Sequence, residues 1–340
     1  MDLGSRPMRA ARRKTRARIS FLATFVLLFA SRVANAQEPK NSDPIDPDLV
    51  APGRTLPVAA RPIPLSILPR TGGGRPLAWN PEWRRVSAAD FVVTAAAGAV
   101  TLTSQIVKPL PPVIEGPIFF DDAVRDTLRL QSVDARGWAG DVSDVLLSLS
   151  MTGPFLIDSM TTAWWYRGSK DVAQQMAVMD LETLAITSAV QGVTSDLIGR
   201  ARPYTRICGT PDLPADSLEC QTFSQNRSFF SGHTSLSFAS ASLVCQHHLQ
   251  MHLFENGPAD ALSCIGSMLT AGTTGTFRIL SDNHYASDVI TGAIIGTTLG
   301  FGLPWILRYK PHAANSFTQQ TGMTFQLVPT GLGAAAVGVF

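Results

Sequence analysis

An all-α bundle of about six core helices is the fold class that the sequence predicts, with a Pro-rich N-terminal arm and a short β-like C-terminal tail. Three observations carry that expectation. Apolar stretches of helical length lie near Ala88–Val107, Val142–Trp165, Asp171–Arg202, Gly232–Met251, Ala261–Leu280 and Tyr285–Ile306, separated by Pro, Gly and charge clusters. Ahead of them, Gln37 to Arg85 holds ten of the 23 prolines and the run Gly72-Gly73-Gly74. Proline lacks a backbone donor and resists helix, so this part reads as an extended linker or a wrapping arm. Beyond the last helix, "FTQQTGMTFQLVPTGLGAAAVGVF" alternates and is rich in glycine, as one or two short strands would be.

Taken in order, the chain opens with a basic leader, "MRAARRKTRAR", a twelve-residue apolar run, "ISFLATFVLLFA", and the small-x-small end Ala34-Asn35-Ala36. That order is a secretory signal peptide cut before Gln37; the competing reading, a membrane anchor, has an apolar run short of the ~20 residues of a span. The expected organisation is a signal peptide over 1–36, the arm over 37–85, the bundle over 86–310 and the tail over 311–340. The leader carries eight of the 28 Lys and Arg and one of the 26 acids, so the remainder has a net charge of −5. No basic footprint for nucleic acid is left. Export to a periplasmic or extracellular space also governs the four cysteines. Cys208 and Cys220 bracket a polar, Pro-containing loop and suit a disulfide, whereas Cys245 and Cys264 either pair across a helical hairpin or stand as buried thiols. None has C-x-x-C spacing, so no zinc or dithiol site is indicated.

"DDAVRDTLRL", from Asp121, reads as a further short amphipathic helix. Several of the long apolar segments carry charge, among them Asp158, Asp180, Glu182 and Asp196. A charge at mid-bilayer costs about 2.5–3.5 kcal/mol on insertion scales. Only the first and last segments would insert readily, which favours a soluble exported bundle or one loosely seated on a membrane. The Trp164-Trp165 pair reads as core packing or as interfacial trim.

Three stretches carry chemistry. In "FRILSDNHYASDV", His284 falls at the mouth of a helix that Ser281 or Asp282 would cap, with Asp288 four residues on. A carboxylate there takes the proton of one ring nitrogen and leaves the other as a lone pair, the arrangement of a nucleophile or a metal ligand. In "SFFSGHTSLSF", Ser231-Gly232-His233 opens another helix, whose free N–H groups suit an oxyanion and whose histidine suits a proton donor. In "SDLIGRARPYTR", Pro203 ends a helix and leaves Arg202 free to present its planar fork to phosphate oxygens. Each stretch alone has an ordinary structural explanation.

Together and in this order they resemble the signature of the type 2 phosphatidic acid phosphatase and vanadium haloperoxidase superfamily: Arg202-Pro203, then Ser231-Gly232-His233, then Arg278, His284 and Asp288 at the required gaps. The resemblance spans about Ala88 to Ile306. It implies a phosphatase for phosphomonoesters or lipid phosphates. In it Arg202, Arg278, Ser231 and Gly232 hold the phosphate, His284 attacks phosphorus, Asp288 orients His284, and His233 protonates the leaving alkoxide and then activates water. It implies no metal and no cofactor, with vanadate as a phosphate mimic. Three positions depart from the pattern: Phe230 for proline, Phe277 for serine, and Ser195 for lysine seven residues before Arg202. Losing one preorganised donor costs about 10²–10³ in rate, and Arg200 or Arg206 are the neighbours that would have to replace it. Two other readings use the same residues: a non-catalytic anion-binding bundle, motivated by Ser195, and a vanadium-dependent haloperoxidase. Neither the particular ester nor the oligomeric state is written in the sequence.

Overall fold

The computed structural model describes residues 73–311 and the strand residues 324–330 and 333–339. The expected signal peptide and most of the proline-rich arm lie outside the described residues. Among the described residues eight α-helices follow one another: α1 Ala88–Ile106, α2 Asp121–Leu128, α3 Val133–Gly153, α4 Lys170–Ile198, the short α5 Leu218–Gln221, α6 Gly232–Met251, α7 Gly257–Leu280 and α8 Ala286–Pro304. A π-helical segment, Pro154–Tyr166, continues α3, and a second, Trp305–Tyr309, continues α8. Five of the long helices lie on five of the apolar stretches, the sixth stretch, Val142–Trp165, straddles the end of α3 and the π-helical segment after it, and "DDAVRDTLRL" forms α2. Strands β1 Thr324–Thr330 and β2 Gly333–Val339 pair antiparallel, Thr324 opposite Val339 and Thr330 opposite Gly333.

Helix α6 is central and packs on α3, α4, α7 and α8. Its contact with α8 is governed by glycine. A Cβ at Gly292 would stand 2.7 Å from the Ser231 carbonyl oxygen, one at Gly296 2.2 Å from that of Ser235, and one at Gly300 2.6 Å from that of Ala239. Spaced four apart, these glycines form one face of α8, and without side chains they let the backbones touch. The start of α6 therefore lies directly against the first turns of α8, and the Ser231 amide donates to the Asp288 carbonyl at 3.1 Å.

The described part of the arm is packed rather than tethered. Trp79 is buried against Met176, Met251 and Tyr309, stacks edge-on to Trp83, and Leu77 N–H donates to Ser169 Oγ at 2.6 Å. Both disulfides form, Cys208–Cys220 across the loop and Cys245–Cys264 between α6 and α7.

Three of the four acids noted within the apolar segments face inward. Asp158, Asp180 and Glu182 are each 2% exposed. Asp180 meets His247 Nε2 at 2.7 Å, Asp158 meets His248 at 3.4 Å, and Glu182 meets Arg308 at 2.7 Å. Outward, the helices present Val92, Leu102, Leu149, Ile157, Val193, Leu269 and Ile294, all exposed. The sequence argument against insertion assumed those charges would face lipid; paired in the interior, they carry no such cost. Two helices, Ala88–Ile106 and Ala286–Tyr309, are long and apolar enough to cross a membrane. Trp164 and Trp165 are exposed, so the pair is not core packing.

Candidate active site

The three motif stretches converge at one end of the bundle, where α4 and α7 finish and α6 and α8 begin. A cavity of about 300 Å³ is lined there by Gln105, Gln191, Ser195, Arg202, Ser224, Arg227, Gly232, His233 and His284.

His284 is buried and lies just ahead of α8, not within its first turn, because the helix begins at Ala286 with Tyr285 as N-cap. Ser281 instead ends α7, its hydroxyl donating to the Arg278 carbonyl. Asp282, at a φ of +60°, is held by Arg125 at 2.6 Å and Arg129 at 2.9 Å. These pairs clamp the turn that presents His284. Its Nδ1 sits 2.7 Å from the Ser228 backbone carbonyl and 3.8 Å from Asp288 Oδ2. The expected direct bond to Asp288 is thus replaced by one to a main-chain oxygen. A carbonyl can only accept, so Nδ1 carries the proton and Nε2 keeps the lone pair. Burial, then the Arg202 and Arg278 guanidinium groups, hold the imidazole well below its usual pKa, so it is neutral.

Asp288 is fully buried and acts on His284 through neighbours. It accepts from Ser228 Oγ at 2.6 Å, from the Tyr285 amide at 3.0 Å and from Arg200 Nη1 at 2.5 Å. It thereby fixes the segment whose carbonyl holds Nδ1. Arg200 also reaches Asp121 at 2.7 Å and lies over the Tyr285 ring at 4.3 Å. Arg206 pairs with Asp122 at the surface. Neither arginine fills the position left by Ser195, whose own hydroxyl turns back to the Gly192 carbonyl at 3.0 Å.

Arg202 Nε donates to the Ser224 carbonyl at 3.1 Å and Nη1 to Asn283 Oδ1 at 3.3 Å, which fixes the guanidinium on the cavity wall. Arg278 closes α7 and donates to Ser143 Oγ at 3.0 Å. Ser231 caps α6, its hydroxyl accepting from Thr234 Oγ1 at 2.9 Å, and Gly232 lets the Gln191 side chain close in. His233, in the first turn at the open end of the bundle, meets Asp144 Oδ1 with its Nε2 at 2.8 Å. Burial, then Arg278, lower the pKa of its imidazole to about 4 against the opposing pull of Asp144, so in the free site it is neutral. Of the two other departures, Phe230 is buried and Phe277 packs on Trp138, with ring centroids 5.7 Å apart.

Sequence reasoning missed Asp144, Ser228, Arg227 and Gln191. Ser228 and Arg227 stand within five residues of a motif histidine or serine, but nothing in their spacing announces them. Asp144 belongs to a helix with no motif at all.

Residues 178–312 match the model of the PAP2 superfamily, a stretch that contains Arg202, His233, Arg278, His284 and Asp288. A lipid A 1-phosphatase from Porphyromonas gingivalis is 26% identical over 223 residues, covering 61% of this chain and 44% of that protein. The chain thus spans less than half the length of that relative.

Proposed function

We propose that the chain is a phosphatase for lipid phosphates that works through a phosphohistidine on His284, needs no metal, and is exported and seated in a bilayer with α1 and α8 crossing it. The single observation that carries this reading is the fixed proton on His284 Nδ1, which leaves a neutral Nε2 at the wall of a cavity lined by arginine. In the first step Nε2 attacks phosphorus. The bond from phosphorus to the ester oxygen breaks, and the leaving alkoxide takes a proton from His233, which the bound phosphate dianion and Asp144 hold as imidazolium against the burial that keeps it neutral in the free site. In the second step His233 accepts a proton from water, the oxygen attacks phosphorus, and the P–N bond breaks. Phosphate leaves, and His284 is neutral again. Arg202 and Arg278 stabilise the charge on the equatorial oxygens in both transition states.

Three observations support a lipid substrate. The relative carries the name lipid A 1-phosphatase. The outward faces are apolar, so the cavity mouth would open near a bilayer surface. A second hollow of about 380 Å³, lined by Lys108, Pro109, Leu110, Pro111 and Asn226, adjoins the residue next to Arg227 and offers apolar room for a leaving group.

The test uses the full chain in detergent or vesicles beside His284→Ala, following phosphate release from an aryl phosphate and from a lipid phosphate with a chelator present. Turnover that survives chelation and is absent from the variant is the expected result. A folded wild-type chain that binds vanadate and turns over neither substrate would favour the non-catalytic anion-binding reading instead. Halide oxidation with vanadate would favour haloperoxidase chemistry.

A further inference from the structure

We propose that Arg129 and Arg136 form a second site for a phosphoryl anion, outside the catalytic cavity and against the turn that presents His284. Arg129 caps the C-terminus of α2, and Arg136 stands in the first turns of α3. Four residues further along α3, Gly140 faces that turn: a Cβ there would stand 3.7 Å from Asn283 Nδ2 and 4.0 Å from Ser281 Cβ. Residues four apart share a helix face, so Arg136 lies on the side of α3 that abuts the turn. The Leu130 amide donates to the Leu280 carbonyl at 3.1 Å, which brings the connection between α2 and α3 against the same place. Arg136 Nη1 wraps this connection, donating to the carbonyls of Leu130 at 3.1 Å and Gln131 at 2.7 Å. Arg129 Nε reaches Asp282 at 2.9 Å.

The cluster holds more positive charge than its surroundings neutralise. Asp282 takes Arg125 through both carboxylate oxygens and Arg129 through one. Arg136 pairs with no carboxylate among the described residues. The acids that act on it from farther off are Asp282, whose charge is already shared, and Asp212, which is exposed to water. Yet Arg136 is only 7% exposed. Taking an unpaired guanidinium out of water is costly, and burial lowers its pKa before any neighbour does. Its Nε and Nη2, and both Nη atoms of Arg129, donate to nothing among the described residues, and none of them is sealed from solvent. Planar forks with donors to spare suit phosphate oxygens, and a phosphoryl group there would offset the buried charge. Eight residues of α3, about 12 Å at the helical rise, separate Arg136 from Asp144, the partner of His233. The anion is free phosphate or the headgroup of an anionic lipid beside the substrate; the second source rests on reading the chain as a lipid phosphatase, whereas the site does not. The ordinary alternative is that Arg136 only ties down the connection between α2 and α3.

The experiment counts orthovanadate equivalents by calorimetry on the full chain in neutral detergent, for wild type, Arg136→Gln and Arg129→Gln. Wild type is expected to take up two equivalents, one in the cavity and one at the arginines. In each variant the second should weaken by about tenfold or more, the worth of one charge-assisted hydrogen bond. The cavity equivalent should stay within about twofold of wild type, as expected of a separate site. Uptake by Arg136→Gln that matches wild type overturns the proposal. So does equal weakening of both equivalents, which a purely structural role would give. If Arg136→Gln does not fold, Arg129→Gln decides by the same criteria, since that side chain is partly exposed. Kinetics then separates the two sources, through KM for a lipid phosphate with and without phosphatidylglycerol, a phosphodiester with no terminal phosphate to remove. A headgroup in the site lowers the wild-type KM by about fivefold, the effect of one basic residue at an anionic surface, and leaves that of the variants alone. Free phosphate in the site leaves KM indifferent to the added lipid while the second equivalent persists. Two equivalents bound without turnover would defeat the phosphatase reading and leave this site standing.

Discussion

At the scale of single residues, the site turns on which atom holds His284. The motif spacing made Arg202, Ser231, Gly232, His233, Arg278, His284 and Asp288 legible, because those residues belong to short local patterns. It did not reveal that Ser228 O, rather than Asp288, receives the Nδ1 proton, because that contact joins positions 56 apart. Asp288→Asn is therefore expected to act indirectly, lowering kcat by about 10²–10⁴-fold, as when a triad carboxylate is lost, with little change in KM. Steady-state kinetics with an unchanged circular-dichroism spectrum would check this, and a KM effect alone would contradict it. A second expectation concerns pH. Burial, Arg202 and Arg278 all push His284 towards its neutral form. The acid limb of kcat/KM that belongs to this group should then lie below the ordinary histidine range near 6.5. Arg202→Gln removes a like charge and should move that limb to higher pH. A limb that stays fixed, or moves to lower pH, would contradict the assignment.

Helices were the most legible elements, since their apolar periodicity and length are local properties. Their ends were less so. Asp282 looked like a cap because of its type and place, but two arginines from the α2 region claim its carboxylate and the helix starts four residues later. The glycines of α8 gave no local sign of their purpose, which lies in another helix. Gly296→Ala would put a methyl 2.2 Å from the Ser235 oxygen. It is expected to cost about 1–3 kcal/mol, as overpacking does, and to lower activity by pushing Ser231-Gly232-His233 away from His284. Denaturant unfolding and kcat, measured on the same preparation, test both. The strap after Pro203 is closed by Cys208–Cys220. Replacing both cysteines with serine should lower stability by about 3 kcal/mol, the value for a loop of roughly this length, and a reducing agent should do the same to the wild type.

At the scale of the molecule, the acids of the apolar segments decide less than their number suggests. Acids within apolar segments argued against lipid, yet a linear sequence does not say which face of a helix an acid occupies. Asp158, Asp180, His247, His248 and Asp260 meet one another inside the bundle, and the outside is left to leucine, isoleucine and valine. The full chain is therefore expected to stay with membranes through an alkaline carbonate wash and to need detergent for release. Recovery in the supernatant would contradict seating in the bilayer.

The bare face of α8 has one more consequence. Because α6 and α8 meet backbone to backbone, the gap between His284 and His233 is set by main-chain geometry, the least variable dimension a protein has. Side chains elsewhere on the helices are then free to change without altering that gap. Drift in this lineage should accumulate on the outer faces and spare Gly292, Gly296 and Gly300 as strictly as it spares the histidines.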